Sequence, residues 1–156
     1  MKTTKLEAVL WSIALPGFGQ LLNGQIVKGI VFIILEFLIN VFSQFNTSIM
    51  YSFNGDILNA MKVLDYEWLM FYPCVYMYAM YDAYKFGQGK THDYAFLPFV
   101  FGAYFVTVGL MLSSKIKLFN VLLGPVFFPM LSLLPGLAVG FMLRIVIIYF
   151  QTKKAS

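Results

Sequence analysis

Four polar or charged side chains inside long apolar stretches are the residues best suited to chemistry in this sequence: Glu36, Asn40, Asp82 and Arg144. A helix would place Glu36 and Asn40 on one face, with Gln44 one turn further on, because residues four apart are neighbours on a helix surface. A charge at the centre of a membrane helix costs about 2.5 to 3.5 kcal/mol on insertion scales, so it is usually paired. We therefore expect this face to point into a helical bundle, and Arg144 to pair with Glu36 or Asp82.

The Glu36 carboxylate allows two interpretations. In the first it belongs to a structural ion pair that fixes how the helices pack, which is the interpretation we favour. In the second it binds a proton or a cation in a transport path, and proteins of that kind usually have broken spans and repeated halves. The segments SIALPGFGQ and SLLPGLAVG share only the letters L-P-G with a later glycine, which is weak evidence for a repeat.

The remaining reactive residue types do not form a catalytic or metal-binding pattern. Cys74 is the single cysteine and His92 is the single histidine, so the sequence offers no internal disulfide, no usual metal framework and no Cys–His nucleophile pair. The GQGK segment at residues 87–90 lacks the length of a phosphate-binding loop. We expect no catalytic residue, no metal, no cofactor and no enzymatic activity.

The composition indicates an integral membrane protein. Hydrophobic residues make up 60% of the 156 residues and charged residues 12%, and the mean hydropathy is +0.78. In an ordinary soluble domain about 25% of the residues are charged. The net charge of +4 is explained by basic loops beside anionic headgroups, so we expect no nucleic-acid partner.

Four stretches are long enough to span a bilayer, which takes about 20 mostly apolar residues. They are residues 27–45, 68–84, 95–113 and 125–150. A fifth stretch, residues 6–15, has only ten residues before Pro16 and Gly17. It either returns to the side it came from or, extended past Pro16 to Leu22, just crosses.

Lysine and arginine accumulate on cytoplasmic loops, and this tendency favours the returning segment. If the segment returns, eight basic residues are cytoplasmic (Lys2, Lys5, Lys28, Lys85, Lys90, Arg144, Lys153, Lys154) and three are outside (Lys62, Lys115, Lys117). If it crosses, the division is six against five. We predict an all-α membrane bundle with four spans, an N-terminal re-entrant or half-length helix, and both termini cytoplasmic; five spans are the alternative.

The segment LPGFGQLLNGQIVKG, residues 15–29, is suited to such a return. Pro16 disfavours helix at the preceding residue, and glycines allow tight turns and close backbone approach. Gln20, Asn23 and Gln25 supply hydrogen-bonding groups for backbone that leaves the helix at membrane depth, where unsatisfied groups cost several kcal/mol each. We therefore predict a turn near the membrane interface.

Together with the later YDAYKF, this segment resembles a family of small prokaryotic membrane proteins, the TM-two hairpin domain and its bacterial relatives. The matching positions are Pro16, Gly17, Gly19, Gln20, Gly24 and Gly29 in the turn motif, and Asp82, Ala83 and Tyr84 in the closing motif. The resemblance covers roughly residues 8–86 and implies a hairpin-like membrane unit. It implies no activity, because most members of the family have none assigned. Residues 95–156 lie outside it.

We interpret the whole chain, residues 1–156, as one membrane domain: a hairpin-like unit over 1–86 and two further membrane segments over 95–156. Residues 46–66 are predicted as an outward loop with a short helix at ILNAMKVL, and residues 85–94 as a cytoplasmic loop. Pro129, Pro135 and Gly136 predict an irregular last span. The expected function is a non-enzymatic scaffold or accessory subunit that packs against lipid, other membrane proteins or itself; a small transporter or channel using Glu36 is the alternative.

Overall fold

The computed structural model describes residues 3–155, and that part of the chain is almost entirely helical, which confirms the predicted all-α class. Its helices are α1 (Lys5–Ala14), α2 (Phe18–Leu22), α3 (Ile26–Ser43), α4 (Phe45–Phe53), α5 (Ile57–Val63), α6 (Tyr66–Leu69), α7 (Tyr72–Phe86), α8 (Leu97–Leu112) and α9 (Gly124–Ala155). Strands β1 (Lys117–Leu118) and β2 (Val121–Leu122) form a small antiparallel hairpin before α9. Lys2, which entered the charge count, lies outside the described residues.

Helices α1 and α2 form a hairpin that reverses at Pro16 and Gly17. The Thr4 side chain caps α1 by accepting a hydrogen bond from the Glu7 amide at 3.3 Å. Helix α1 ends at Ala14 because Leu15 is extended (φ −154°), as expected for a residue before proline. Gly17 then has a φ of +109°, a left-handed conformation that glycine adopts easily. We call residues 3–25 the return hairpin.

The return hairpin begins and ends at the same end of the bundle. The Gln88 amide donates to the Thr3 carbonyl at 2.9 Å, which places the start of α1 beside the segment after α7. At the far tip the Tyr76 hydroxyl donates to the Ile13 carbonyl. Tyr76 precedes Phe86 by ten residues, or about 15 Å of helix, which is half of a hydrocarbon layer about 30 Å thick. We call the end that holds residues 87–96 the connector end.

The opposite, or far, end is more helical than the sequence predicts. Residues 46–66, predicted as a loop, contain most of α4 and all of α5, and only α5 matches the expected short helix. Gln44, with a left-handed φ of +58°, ends α3 and redirects the chain into α4. The Ser48 hydroxyl donates to the Ala60 carbonyl at 2.9 Å and ties α4 to α5. These two helices also pack against α9.

The stretch predicted over residues 68–84 is divided between α6 and α7. The Asp65 carboxylate caps α6 by accepting from the amides of Glu67 and Trp68 at 3.0 and 3.1 Å. Pro73 lies in the first turn of α7, where its missing N–H costs nothing. Pro73 therefore lies where the stretch is interrupted and α7 begins.

Helices α8 and α9 pack closely through small side chains. Ser132, Gly136 and Gly140 recur every fourth residue along α9, and α8 contributes Gly102 and Gly109. A Cβ built on Gly136 would lie 2.7 Å from the Phe101 carbonyl oxygen, so the two backbones are nearly in contact. Small residues spaced in this way are typical of helix pairs in membranes.

Helix α9 continues without a break through Pro129 and Pro135. The irregularity expected for the last span is therefore not a break in the helix. Its 32 residues correspond to about 48 Å, more than the hydrocarbon layer requires. The Ser132 hydroxyl donates to the Phe128 carbonyl at 2.9 Å within this proline-containing stretch.

Two helices of the described chain are long and apolar enough to cross a membrane: α3, and α9 over Gly124–Lys154. Both have a mean hydropathy of 2.2 in their most apolar window. Helix α8 is apolar but has 16 residues, and α7 has 15, fewer than the about 20 that span a bilayer without help from flanking residues.

Substituting Gly140 is expected to destabilise the α8–α9 pair much more than substituting Gly102. In Gly140→Ala the new methyl group would meet rigid backbone, 2.5 Å from the Pro98 Cα and 2.7 Å from the Leu97 carbonyl oxygen. In Gly102→Ala it would meet the flexible ends of Leu133 and Met77 at 3.1 and 3.3 Å. Overpacking costs about 1 to 3 kcal/mol, so thermal unfolding in detergent should show a clear loss for Gly140→Ala and little change for Gly102→Ala. Equal losses would contradict the close backbone packing.

Candidate functional site

A buried carboxylate, Asp82 of α7, is the centre of the polar site. Asp82 is 2% exposed. One of its oxygens accepts from the Lys28 ammonium at 2.9 Å, and the other accepts from the Gln20 side-chain amide at 3.2 Å. Lys28 belongs to the first turn of α3 and Gln20 to α2, so three helices meet at one charge. We call Gln20, Lys28 and Asp82 the Asp82 cluster.

The amide side chains of the return hairpin also bind the backbone of α7. The fully buried Gln20 donates to the Ala79 carbonyl at 2.7 Å, and Asn23 donates to the Ala83 carbonyl at 3.0 Å. These carbonyls lie one turn apart on the same face of α7. These two donors of the return hairpin therefore fix both the position and the rotation of the hairpin on α7.

The motif glycines allow the close contacts that bring these polar groups together. A Cβ on Gly19 would collide with the Ala8 carbonyl oxygen and the Ser12 hydroxyl, and would lie 2.7 Å from the Ala83 Cβ. Gly17 and Gly29 are also in contact, since a Cβ on Gly29 would lie 2.9 Å from the Gly17 carbonyl oxygen. The two sequence motifs, more than 50 residues apart, therefore form one contact region.

The ammonium groups around this region lie over aromatic rings. Lys28 is 46% exposed at its side chain and lies 4.2 Å from the centre of the Phe86 ring. Lys5 donates to the Tyr84 carbonyl and to the Thr91 hydroxyl, each at 2.9 Å, and burial lowers the pKa of its ammonium group. Cations over aromatic faces gain about 0.5 to 1 kcal/mol at exposed sites. The contacts of Lys5 attach the start of α1 to the connector end.

Glu36 and Asn40 lie deeper along α3 and are separate from the Asp82 cluster. Both are half-buried, and their side chains are neighbours. Asn40 and Asn46 share two hydrogen bonds. The Asn40 side chain donates to the side-chain oxygen of Asn46 at 3.2 Å and accepts from the Asn46 backbone N–H at 3.1 Å.

The predicted pairing of Arg144 with Glu36 or Asp82 is wrong. Arg144 donates from its Nε to the Asp93 carbonyl at 3.0 Å, while the partner of Asp82 is Lys28. The reason is lateral position: α9 packs mainly against α8, with α4 and α5 at its start, and α7 is beside α3 and the hairpin. The depth of a charge along its helix can be estimated from sequence, but depth alone does not identify the neighbouring helix.

Among the candidates, the structure thus brings together the turn and closing motifs and leaves Glu36, Asn40 and Arg144 apart from them. Sequence reasoning missed Lys28 as the counterion. Its place in the motif, one residue before Gly29, was the available signal, because Gly29 contacts the Gly17 turn and thereby holds Lys28 near α7.

The arrangement is suited to holding helices together. Asp82 is paired with the Lys28 ammonium and accepts a hydrogen bond from the Gln20 amide, and Gln20 and Asn23 donate to helix carbonyls. No group of three or more His, Cys, Asp or Glu side chains that could hold a metal occurs within residues 3–155. Cys74 and His92 are both exposed and lie on α7 and in the connector respectively.

Comparison of the chain with protein-family models, with curated proteins and with solved structures found no match. The resemblance to the TM-two hairpin domain therefore remains a prediction that rests on the motif residues.

Proposed function

We propose that this chain is a non-enzymatic, multi-pass membrane component, a scaffold or accessory subunit whose apolar helix faces pack against other membrane proteins. The observation that carries the proposal is the exposure of the two longest helices. In their most apolar windows only 22% of α3 and 11% of α9 is buried. A core helix of a soluble protein would be mostly buried, whereas these helices need an apolar environment from outside the chain.

The distribution of charge supports an orientation with the connector end in the cytoplasm. Seven of the described basic residues lie at that end (Lys5, Lys28, Lys85, Lys90, Arg144, Lys153, Lys154), and three lie at the far end (Lys62, Lys115, Lys117). Cytoplasmic loops carry the excess of Lys and Arg. In this orientation both termini are cytoplasmic, the return hairpin is half-length, and α3, α6–α7, α8 and α9 form the four proposed crossings.

The motif contacts support the proposed kinship with the TM-two hairpin domain. Several of the matching positions have a clear physical role, since Pro16 and Gly17 make the turn, Gly19 and Gly29 allow close approach, and Gln20 reaches the closing motif. A segment with these contacts is a packing device. That role agrees with a structural function for the Asp82 cluster.

One observation favours a second candidate, a small proton or cation transporter that uses Glu36. Intramembrane carboxylates often mark ion paths, and Glu36 is half-buried on α3, a helix long and apolar enough to cross a membrane. Glu36 lies beside the neutral side chain of Asn40, whereas Asp82 is paired with the positively charged Lys28. Crosslinking in membranes and proton flux in vesicles separate the two candidates.

A photoreactive amino acid in place of Phe37 or Ile145, which are 63% and 67% exposed, is expected to give discrete protein adducts in intact membranes. The matched variant at Phe32, which is 8% exposed, should give none because this position packs against Tyr78. Adduct masses read on a gel identify second copies or other proteins. Labelling of lipid alone from every exposed position would contradict a scaffold.

Proton flux in reconstituted vesicles tests transport. Wild-type protein and Glu36→Gln, reconstituted with a pH-sensitive dye inside the vesicles, should give equal and background-level proton flux if the chain is a scaffold. A flux that the substitution abolishes would support the transporter instead. Release of the protein from membranes by alkaline carbonate would contradict both candidates.

A further inference from the structure

A cavity of about 500 Å³ lies between α1, α4, α7, α8 and α9. Its walls are formed by aliphatic, aromatic, proline and methionine side chains, among them Phe53, Tyr76, Met77, Val106, Met130 and Leu133. Two of these, Phe53 and Met130, are 69% and 62% exposed. The cavity therefore opens to the outer surface of the bundle beside these two apolar side chains.

The return hairpin explains why this space exists. Helix α1 covers α7 from the connector end as far as Tyr76, whose hydroxyl meets the Ile13 carbonyl, and then the chain turns back. The next turn of α7 towards the far end, around Tyr72 and Pro73, has no hairpin beside it. Helices α4 and α9 close the other sides but do not fill this space, and residues of both line it.

We propose that the cavity binds one acyl chain of a membrane lipid, which enters from the leaflet at the far end. The proposal rests on the membrane location argued above. Size favours this occupant over a partner helix: one turn of helix with its side chains, about 10 Å wide and 5.4 Å long, already takes up most of the cavity. Cavities of this volume are in the range of small-molecule sites, about 300 to 1,000 Å³.

The chemistry of the walls favours a hydrocarbon chain. An acyl chain requires no hydrogen bonds, and the hydroxyl of Tyr76 already donates to a backbone carbonyl. Three of the lining residues are methionines, Met77, Met80 and Met130, whose flexible side chains adapt to irregular apolar shapes. The open side at Phe53 and Met130 is continuous with the apolar outer surface, so a lipid chain reaches the cavity without leaving an apolar environment.

A phospholipid with a photoreactive diazirine near the end of its chain tests the proposal in reconstituted bilayers. Peptide mapping should find adducts concentrated on Tyr76 and Met77, which line the cavity and are less exposed than Met130. Val106→Trp, which fills the cavity from α8, should remove most of that labelling. Val100, on the same helix, is 54% exposed and does not line the cavity. Val100→Trp should therefore leave the labelling unchanged.

Several results would overturn the lipid proposal. Adducts spread evenly over exposed residues of α3 and α9 would do so, as would labelling that survives Val106→Trp. A photoreactive amino acid in place of Met130 that crosslinks to a second copy would assign the space to a protein. If Val106→Trp does not fold, Val106→Phe provides the smaller filling side chain. If the protein stays in the membrane during alkaline carbonate treatment but its cavity is not labelled, the lipid inference alone is contradicted. If carbonate releases the protein from the membrane, the proposed membrane function is contradicted as well.

Discussion

Lys28→Met is expected to lower the free energy of unfolding by about 3 kcal/mol, because removing one partner of a buried ion pair leaves an uncompensated charge. The carboxylate of Asp82 is the buried partner, with a side chain that is 4% exposed, and only the Gln20 amide would still contact it. Lys28 itself is half-exposed, which places the expected loss at the lower end of the range for buried pairs. Chemical denaturation in a mild detergent, followed by circular dichroism, measures it.

Lys85→Met is the matched control. Lys85 is exposed, lies at the same end of the bundle and, like Lys28, is near the Phe86 ring, at 5.7 Å. It differs from Lys28 in that Lys28 is the lysine that pairs with Asp82. Its substitution should change stability by only a few tenths of a kcal/mol. Adding Asp82→Asn to Lys28→Met should recover part of the loss, because the buried charge is then removed. Equal losses for the two lysines, or no recovery in the double variant, would show that the ion pair does not stabilise the fold.

Gly19→Ala is expected to detach the return hairpin from α7 or to reduce the folded yield severely. The added methyl group would meet the Ala8 carbonyl oxygen, the Ser12 hydroxyl and the Ala83 Cβ. The Ala8 oxygen is backbone and the Ala83 Cβ is fixed to its backbone, so neither atom can rotate away. Overpacking of this kind costs about 3 kcal/mol or more. A cysteine placed at Lys5 should then become more reactive towards a soluble maleimide, because the backbone at this position lies against Gly87 and would be uncovered when the hairpin detaches.

Gly24→Ala separates this steric effect from the conformational freedom of glycine. Gly24 has a left-handed φ of +78°, and a Cβ there has open space around it. Only the backbone cost, about 1 to 2 kcal/mol, applies. If Gly24→Ala is as damaging as Gly19→Ala, close approach to α7 is not the reason for the glycine in the turn motif.

The sequence was sufficient to predict those features that depend on local chemistry. Pro16 and Gly17 marked the turn, the charge count favoured a returning segment, and Gln20 was recognised as a hydrogen-bonding group. Each of these inferences uses only neighbouring residues or a sum over loops. The observed hydrogen bond between Thr3 and Gln88 agrees with them, since it places the start of α1 beside the connector. The expected place of the turn, near the interface, was wrong, because the turn lies beside Tyr76, about 15 Å of helix from the connector end.

Features that depend on which helices are neighbours were not predictable in the same way. The estimated depth of Arg144 along its helix suggested Glu36 or Asp82 as its partner, yet Arg144 lies against the connector. The far end was also misjudged, because NTSIMYSF is polar enough for a loop but forms α4 by packing on α5 and α9. Tertiary packing overrides local preference in such segments.

The contacts of the return hairpin also have a consequence for how the chain is made. Gln20 and Asn23 bind carbonyls that lie 59 and 60 residues further along the sequence. While the ribosome is still synthesising the intervening helices, the side-chain amides of Gln20 and Asn23 lack these carbonyl partners. The return hairpin can therefore complete its contacts only after α7 has been synthesised.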